Sequence, residues 1–269
     1  MQTGISSYTY TWSVGVPGHL PARRMSALDL LEKAHELGVS GVQFADNLPL
    51  HALSENDLEQ LNSRAAERGL WIEVGTRGID TPHLFTYLGL AQRFHSPILR
   101  VVIDTPVFHP SPQQAVERLR PFQPEFERAG VVLAIENHDR FPASTLKDMV
   151  RALGTNWVGI CLDTVNSFGA MEGPELVVNT LAPLTVNLHL KDFTIYRPAH
   201  NLGFLVEGRP AGQGRLAIPW LLERLKAEGR DCNAILELWT PPAETLEETL
   251  SREDSWARQS VAYLKGIGL

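Results

Sequence analysis

Short apolar runs alternate with amphipathic stretches along the chain, and this alternation predicts strands and helices in turn. The strand-like runs are rich in β-branched and aromatic residues. Eight runs are predicted as strands, at residues 4–12, 40–46, 70–75, 98–104, 131–136, 157–163, 185–190 and 233–238. The segments between them predict helices at residues 26–37, 55–68, 82–94, 112–128, 144–153, 174–181, 217–228 and 250–265.

Several predicted helices carry their own boundary signals. Ser54 is followed by Asp57, and Ser251 by Asp254, which is the spacing of an N-terminal capping box. Glycines that favour helix termination follow five of the helices, at Gly38, Gly69, Gly130, Gly154 and Gly229. The signals at both ends therefore support the alternation that the apolar pattern predicts.

Eight β/α alternations in 269 residues fit a fold of the α/β class, a single (β/α)8 TIM barrel, with residues 1–269 as one domain. A doubly wound sheet usually has a glycine-rich phosphate turn after its first strand, and no such turn follows the first predicted strand. The connection of about residues 191–216 after strand seven is unusually long, and loops of this length are usually functional.

Charge and composition narrow the classes of partner. The net charge is −7 and there is no run of Lys and Arg, so nucleic acid is not an expected partner. No apolar stretch approaches the ~18 residues of a membrane span, and the N-terminal residues lack the plan of a signal peptide, so we expect no membrane and a cytoplasmic location. Cys161 and Cys232 lie in apolar segments and are predicted to be buried free thiols.

The carboxyl ends of the strands carry the chemistry in a parallel barrel. Four consecutive predicted strands have a metal-type ligand at or next to that end: Glu136, Asp163, His189 and Glu237. One such carboxylate is commonly a helix cap, but crowded buried carboxylates repel one another and need a compensating cation. Oxygen-rich ligation with one imidazole suits Mn²⁺ or Mg²⁺, with Co²⁺ and Zn²⁺ also compatible, so the pattern predicts one divalent metal ion.

The segments around these residues, IENH, CLDTVNS, NLHLKDF and ILELW, resemble the metal-binding strand ends of the xylose isomerase-like superfamily. That sugar (phosphate) isomerase/epimerase group includes ketose 3-epimerases, hydroxypyruvate isomerase and inosose dehydratase. The resemblance covers nearly the whole chain in strand order. It implies a (β/α)8 barrel in which the four residues hold one divalent ion, and it implies that Glu136 and Glu237 also act as acid and base.

The expected reaction moves a proton between neighbouring carbons of a hydroxy-ketone. A base removes the C–H proton, and a cation stabilises the enediolate that forms. We therefore predict a metal-dependent sugar isomerase or epimerase acting on a small, unphosphorylated ketose or keto-acid. The alternative is a metal-dependent lyase or dehydratase acting on a keto-sugar or inosose, because both reactions begin from the same enediolate.

Four further residues are predicted to bind substrate. His138 follows Glu136 by two residues, although a helix-capping role fits it equally well. Lys191 closely follows the predicted metal ligand on strand seven, and Arg215 ends a glycine-containing turn, AGQGR, that resembles a substrate-contacting turn of the family. Asn166 stands where ketose 3-epimerases commonly carry His, so the chain differs from a typical free-ketose epimerase at this position.

The superfamily also contains DNA-repair endonucleases with three-zinc sites, which need additional histidines. The chain lacks them: the third and fourth strands end in EVG and VID, and the loop reads Pro198-Ala199-His200 where an Asp-x-His pair is needed. An AP endonuclease-like hydrolase is therefore not expected. The expected partner is a small-molecule sugar or keto-acid, and assembly into a homo-oligomer is left open.

Overall fold

Eight parallel strands form a closed barrel in the computed structural model, which describes all 269 residues. The barrel strands are β1 (Thr3–Ser6), β2 (Gly41–Phe44), β3 (Trp71–Arg77), β4 (Ile98–Val102), β5 (Val132–Glu136), β6 (Val158–Asp163), β7 (Thr185–Leu190) and β10 (Ala234–Leu236). Each pairs with its neighbours in the chain, and β1 pairs with both β2 and β10, which closes the ring. The predicted (β/α)8 barrel is confirmed.

Ten α-helices accompany the strands: α1 (Thr11–Val14), α2 (Ala27–Leu37), α3 (Glu55–Arg68), α4 (Thr81–Arg93), α5 (Pro112–Leu119), α6 (Gln123–Ala129), α7 (Ala143–Leu153), α8 (Pro174–Leu181), α9 (Ile218–Ala227) and α10 (Leu246–Gly266). The main helices bury one apolar stripe each. In α7, for example, Leu146, Met149, Val150 and Leu153 are buried at helical spacing. None of the helices combines the length and the apolar character needed to cross a lipid bilayer.

The first predicted strand, residues 4–12, is too long. The strand ends at Ser6, whose hydroxyl accepts a hydrogen bond from the backbone N–H of Tyr8 at 2.8 Å. That bond begins a 3₁₀ helix at Ser7–Tyr10, and α1 follows directly. The aromatic and β-branched residues that predicted a strand therefore lie in a helical segment at the mouth of the barrel.

Two predicted helices also differ in the structure. The helix predicted at 112–128 is broken into α5 and α6 by a 3₁₀ turn containing Pro121, with Pro124 in the first turn of α6, because proline has no N–H for the helical ladder. The last helix begins four residues before its predicted start. Its N-cap is Thr245, which accepts from Glu248 N at 3.2 Å, so the start signal read at Ser251 was wrong.

The long connection after β7 contains an antiparallel hairpin, formed by β8 (Asp192–Tyr196) and β9 (Leu205–Arg209). The Asp192 carboxylate fastens the base of this hairpin to the returning chain. It accepts hydrogen bonds from the backbone N–H groups of Gly212 and Gly214, both at 2.9 Å, and of Leu216 at 3.0 Å. A Cβ atom on Gly214 would lie 2.1 Å from Asp192 Oδ1, so only glycine fits this close approach.

Candidate active site

The four predicted metal ligands converge at the carboxyl-terminal mouth of the barrel. Glu136 and Asp163 are the last residues of β5 and β6, His189 lies one residue before the end of β7, and Glu237 directly follows β10. Asp163 pairs in register with His189, which places these two side chains at the same height. All four residues are at most 2% exposed.

His189 is at the centre of the cluster. Its Nδ1 atom lies 3.2 Å from Glu136 Oε2, 3.4 Å from Glu237 Oε1 and 3.8 Å from Asp163 Oδ2. One ligand atom each from Asp163, His189 and Glu237 lie within 4.8 Å of one another. Side chains from three neighbouring strands can therefore reach a single ion.

Two buried cations share the site with these carboxylates. Lys191 Nζ lies 2.8 Å from both Asp163 Oδ2 and Glu237 Oε2. Arg100 donates from Nε to Glu136 and from Nη1 to Asp46 at 3.1 Å. The need for positive charge, which the sequence assigned to a metal alone, is thus met in part by the protein.

The pKa values follow from this pairing. Burial disfavours the charged form of Lys191, but Asp163 and Glu237 outweigh it and raise its pKa above the ordinary value. Burial likewise opposes ionisation of Glu136, yet Arg100 and His189 hold its pKa well below the usual range. Burial also opposes ionisation of Glu237, but His189 and Lys191 outweigh it and lower the pKa of Glu237. Lys191, Glu136 and Glu237 are therefore all charged.

Arg100 was missed by the sequence prediction. It lies in the middle of β4, ILRVV, and its side chain is 2% exposed. A charged residue inside an otherwise apolar strand is itself a signal, because a buried charge needs a partner.

The loop after β6 fixes the orientation of Asp163. Its Oδ1 atom accepts from the backbone N–H groups of Val165 at 2.9 Å and Asn166 at 2.8 Å. Asn137, directly after the neighbouring strand β5, accepts from Asp163 N at 2.7 Å and donates to Asp163 O at 2.8 Å. One oxygen is thereby used by the backbone, and Oδ2 is left facing the cluster.

The cluster has the composition of a divalent metal site. Three buried atoms that face one another have no hydrogen-bond partner, namely Asp163 Oδ2, His189 Nδ1 and Glu237 Oε2. Buried polar atoms are rarely left in this state unless a ligand or ion uses them. The contacts of Lys191 with two of these oxygens are close ion pairs without hydrogen-bond alignment. Carboxylate oxygens with one imidazole nitrogen fit a divalent cation.

A cavity of about 350 Å³ opens above the cluster. Its lining residues include both glutamates of the site together with Tyr8, Trp12, Arg77, Arg100, His138, Asn166, Lys191 and Trp239. Three of the four predicted substrate-binding residues, His138, Asn166 and Lys191, are therefore brought together here. Asn166 also donates to Glu136 Oε1 at 2.7 Å. Arg215 is exposed and does not line this cavity; it borders a separate depression beside Phe193 and Trp220.

The wall formed by α1 is anchored from outside the barrel by Glu253 of α10. Its carboxylate accepts from Trp12 N at 2.7 Å, Ser13 N at 3.0 Å and Ser13 Oγ at 2.6 Å. The indole of Trp12 in turn donates to Thr240 O at 2.8 Å. Burial raises the pKa of Glu253 to about 7, because no cation contacts it.

Comparison with known proteins supplies the family. The sequence model of the xylose isomerase-like TIM barrel family matches residues 31–267. The chain belongs to the xylose isomerase-like TIM barrel family. The chain is also 34% identical, over 266 residues, to the 3-oxo-isoapionate decarboxylase of Pectobacterium atrosepticum, covering 98% of this chain and 95% of that protein.

Solved structures share the fold of this xylose isomerase-like protein. The D-psicose 3-epimerase of Clostridium cellulolyticum H10, solved with D-tagatose, has a TM-score of 0.74 and 16% identity, with 98% of both chains covered. A xylose isomerase-like TIM barrel protein from Mycobacterium smegmatis, in complex with magnesium, has a TM-score of 0.64 and 16% identity, covering 88% of this chain and 89% of that one. The chain is thus related in sequence to a decarboxylase and shares its fold with an epimerase.

Proposed function

We propose that this protein is a metal-dependent decarboxylase that acts on a 3-oxo sugar acid. The choice of reaction follows from one observation: the 34% identity with a decarboxylase extends over 98% of the chain. The lyase expected from the sequence was a dehydratase acting on a keto-sugar or inosose, so decarboxylation is a different reaction, although it shares an enolate-type intermediate with the predicted ones.

Decarboxylation of a β-keto acid makes two demands on a site. The bond between the α-carbon and the carboxylate breaks, CO₂ leaves, and the bonding electrons move onto the ketone oxygen as an enolate. A proton must then be added to the α-carbon. The site therefore needs positive charge at the ketone oxygen and a proton donor beside the carbon.

The first demand is met by Lys191 and the ligand cluster. The Lys191 ammonium is buried and stays cationic, so it stabilises charge that develops on a nearby oxygen. Glu136, Asp163, His189 and Glu237 would hold the divalent ion, which supplies Lewis-acid polarisation of the ketone.

The second demand points to Glu237 as the proton carrier. Both oxygens of Glu136 are engaged, by Arg100 and Asn166. Glu237 has one oxygen that accepts from Ser6 at 2.8 Å, and its other oxygen lies 2.8 Å from the Lys191 ammonium, which can supply it with a proton. Glu237 also lines the cavity, so its carboxyl group can reach a bound substrate.

The cavity fits a small polyhydroxylated acid. Its aromatic walls, Trp12 and Trp239, suit the C–H faces of a sugar, and the polar groups of His138 and Asn166 suit its hydroxyls. Arg77 brings a guanidinium to the same wall and provides attraction for a substrate carboxylate.

An isomerase or epimerase is the second candidate, because Glu136 and Glu237 both line the cavity, as a two-carboxylate proton transfer requires. It shares the enolate but releases no CO₂.

One experiment separates the two functions. Purified protein with Mg²⁺ or Mn²⁺ in D₂O is given a 3-oxo sugar acid and, separately, a panel of ketoses. We expect CO₂ release from the acid, one deuterium at the former α-carbon by NMR, and loss of both with Glu237→Gln. Deuterium exchange into the ketoses without CO₂ release would establish the isomerase or epimerase. If the protein neither releases CO₂ from the acid nor exchanges deuterium into the ketoses, both proposed functions are wrong.

A further inference from the structure

A second group of polar side chains lies inside the barrel beneath the metal-ligand cluster, and we call it the lower layer. It consists of Gln43 on β2, Glu73 on β3, Asn187 on β7 and Asn233 just before β10. Gln43 and Asn187 are fully buried, and Glu73 is 2% exposed. None of these residues lines the cavity, so they do not contact substrate directly.

Hydrogen bonds fix the orientation of the Gln43 amide. Its Nε2 group donates to Glu73 Oε2 at 3.0 Å and to Asn187 Oδ1 at 3.0 Å, which uses both of its hydrogens. Glu73 also accepts from Asn187 Nδ2 at 2.9 Å and from Asn233 Nδ2 at 2.7 Å. A flipped Gln43 amide would place its oxygen against Glu73 Oε2 and Asn187 Oδ1, so the network favours the orientation in the structure.

The carbonyl oxygen of Gln43 is thereby directed at His189. Gln43 Oε1 lies 2.6 Å from His189 Nε2. An amide oxygen can only accept, so Nε2 must carry a hydrogen and donate it. The remaining ring nitrogen, Nδ1, faces the carboxylates of the cluster and has no hydrogen-bond partner. The imidazole is thus held with its free nitrogen pointing at the place where an ion would bind.

We propose, on the basis of the metal site proposed above, that Gln43 is a positioning residue: held by Glu73, it fixes the ring and the tautomer of His189 so that Nδ1 is available to the metal ion. A hydrogen-bond partner on the far nitrogen of a ligating histidine typically changes metal affinity about 10- to 100-fold. Gln43 and Glu73 pair in register on adjacent strands, so the rigid barrel sets the geometry of this relay.

The test uses two readouts that need no substrate. The first is the dissociation constant of Mn²⁺ by calorimetry. The second is the ¹⁵N NMR signal of the His189 ring in metal-free protein, recorded at a pH above the pKa of the ring and assigned with a His189→Asn variant. For Gln43→Leu we expect a dissociation constant about 10- to 100-fold higher and loss of the single Nε2–H form. Asn233→Leu is the matched control, because it removes a lower-layer hydrogen bond that does not touch His189; its dissociation constant should stay within about threefold.

A double variant keeps the test sharp if Gln43→Leu fails to fold. Exchanging the two residues, Gln43→Glu with Glu73→Gln, preserves every hydrogen bond among the four lower-layer residues once the Asn187 amide turns over, and it leaves an acceptor facing His189 Nε2. We expect this variant to bind Mn²⁺ within about threefold of the wild type, whereas Gln43→Glu alone sets two carboxylates against each other and should bind more weakly.

Unchanged Mn²⁺ affinity and an unchanged Nε2–H signal in Gln43→Leu, or a weakly binding exchanged pair, would overturn the role of Gln43. If the wild type binds none of Mn²⁺, Mg²⁺ or Zn²⁺, the metal role fails, and the NMR signal alone decides whether Gln43 sets the tautomer. Failure of the decarboxylase proposal is distinct, since it would leave both readouts as expected while no CO₂ is released.

Discussion

The barrel interior holds two layers of buried polar groups that differ in one respect. In the lower layer of Gln43, Glu73, Asn187 and Asn233, no buried side-chain polar atom lacks a hydrogen-bond partner. In the metal-ligand cluster above it, three buried atoms lack one. Burial is equal, so burial of polar groups alone does not mark the functional site. The functional site is marked instead by buried atoms that lack a hydrogen-bond partner and face one point beneath a cavity.

The largest effect is expected from Glu237→Gln in the upper layer. The change keeps the shape of the side chain but removes the proton-transfer group, so kcat should fall about 10²- to 10⁴-fold, as is typical of a lost general acid or base. Steady-state CO₂ release measures it, with the exposed Glu223→Gln on α9 as control. Retention of more than a tenth of the wild-type kcat would assign proton transfer to another residue.

Lys191→Met should lower activity about 10²- to 10³-fold, because one stabilising charge is lost at the developing enolate. It also leaves Asp163 and Glu237 without their cation. Breaking a buried ion pair in this way should destabilise the metal-free protein by about 3 to 5 kcal/mol. Urea unfolding in a chelator measures the loss, and added Mn²⁺ should restore part of it. The exposed Lys226→Met is the control, and equal stability of the two variants would contradict the ion-pair role.

Glu253 lies outside both layers and is a buried carboxyl group that no cation contacts, so it shows how burial alone affects pKa and stability. Burial raises its pKa from 4.5 to about 7, so between these values the folded protein holds a proton that the unfolded chain has released. Stability from this group is therefore full below about pH 4.5 and is lost as the pH rises to about 7, by about 3 kcal/mol. Unfolding of the wild type and of Glu253→Gln from pH 4.5 to 8 should show their difference shrinking over this range. Parallel curves would mean that Glu253 titrates elsewhere.

The smallest effect is expected in the lower layer. Asn233→Leu leaves Glu73 Oε1 without its donor, which should cost about 1 to 3 kcal/mol of stability. Because Asn233 does not line the cavity, kcat should change by less than about threefold. Thermal unfolding and CO₂ release measure the two quantities. A large loss of activity with unchanged stability would remove the distinction between the layers.

The sequence predicts the barrel and the convergence of its four ligands because both depend on periodicity and strand ends, which are local signals. The lower layer was not predicted. Its only signals in the sequence are single polar residues inside apolar strands, Gln43 in GVQF and Glu73 in WIEVGTR. Only the closed barrel shows that these side chains face one another. The hairpin in the long connection was missed for a similar reason, since its pairing depends on Asp192 and backbone N–H groups more than twenty residues away.

The way Asp192 fastens the hairpin has a consequence for how such a protein can diversify. The Asp192 carboxylate holds the base of the hairpin. The tip of the hairpin, residues 197–204, is largely exposed and contributes nothing to the barrel. Insertions or replacements at the tip can therefore accumulate without disturbing the strands that carry the ligands. The barrel and its ligands can stay unchanged while the hairpin tip varies and gives the protein new surface properties.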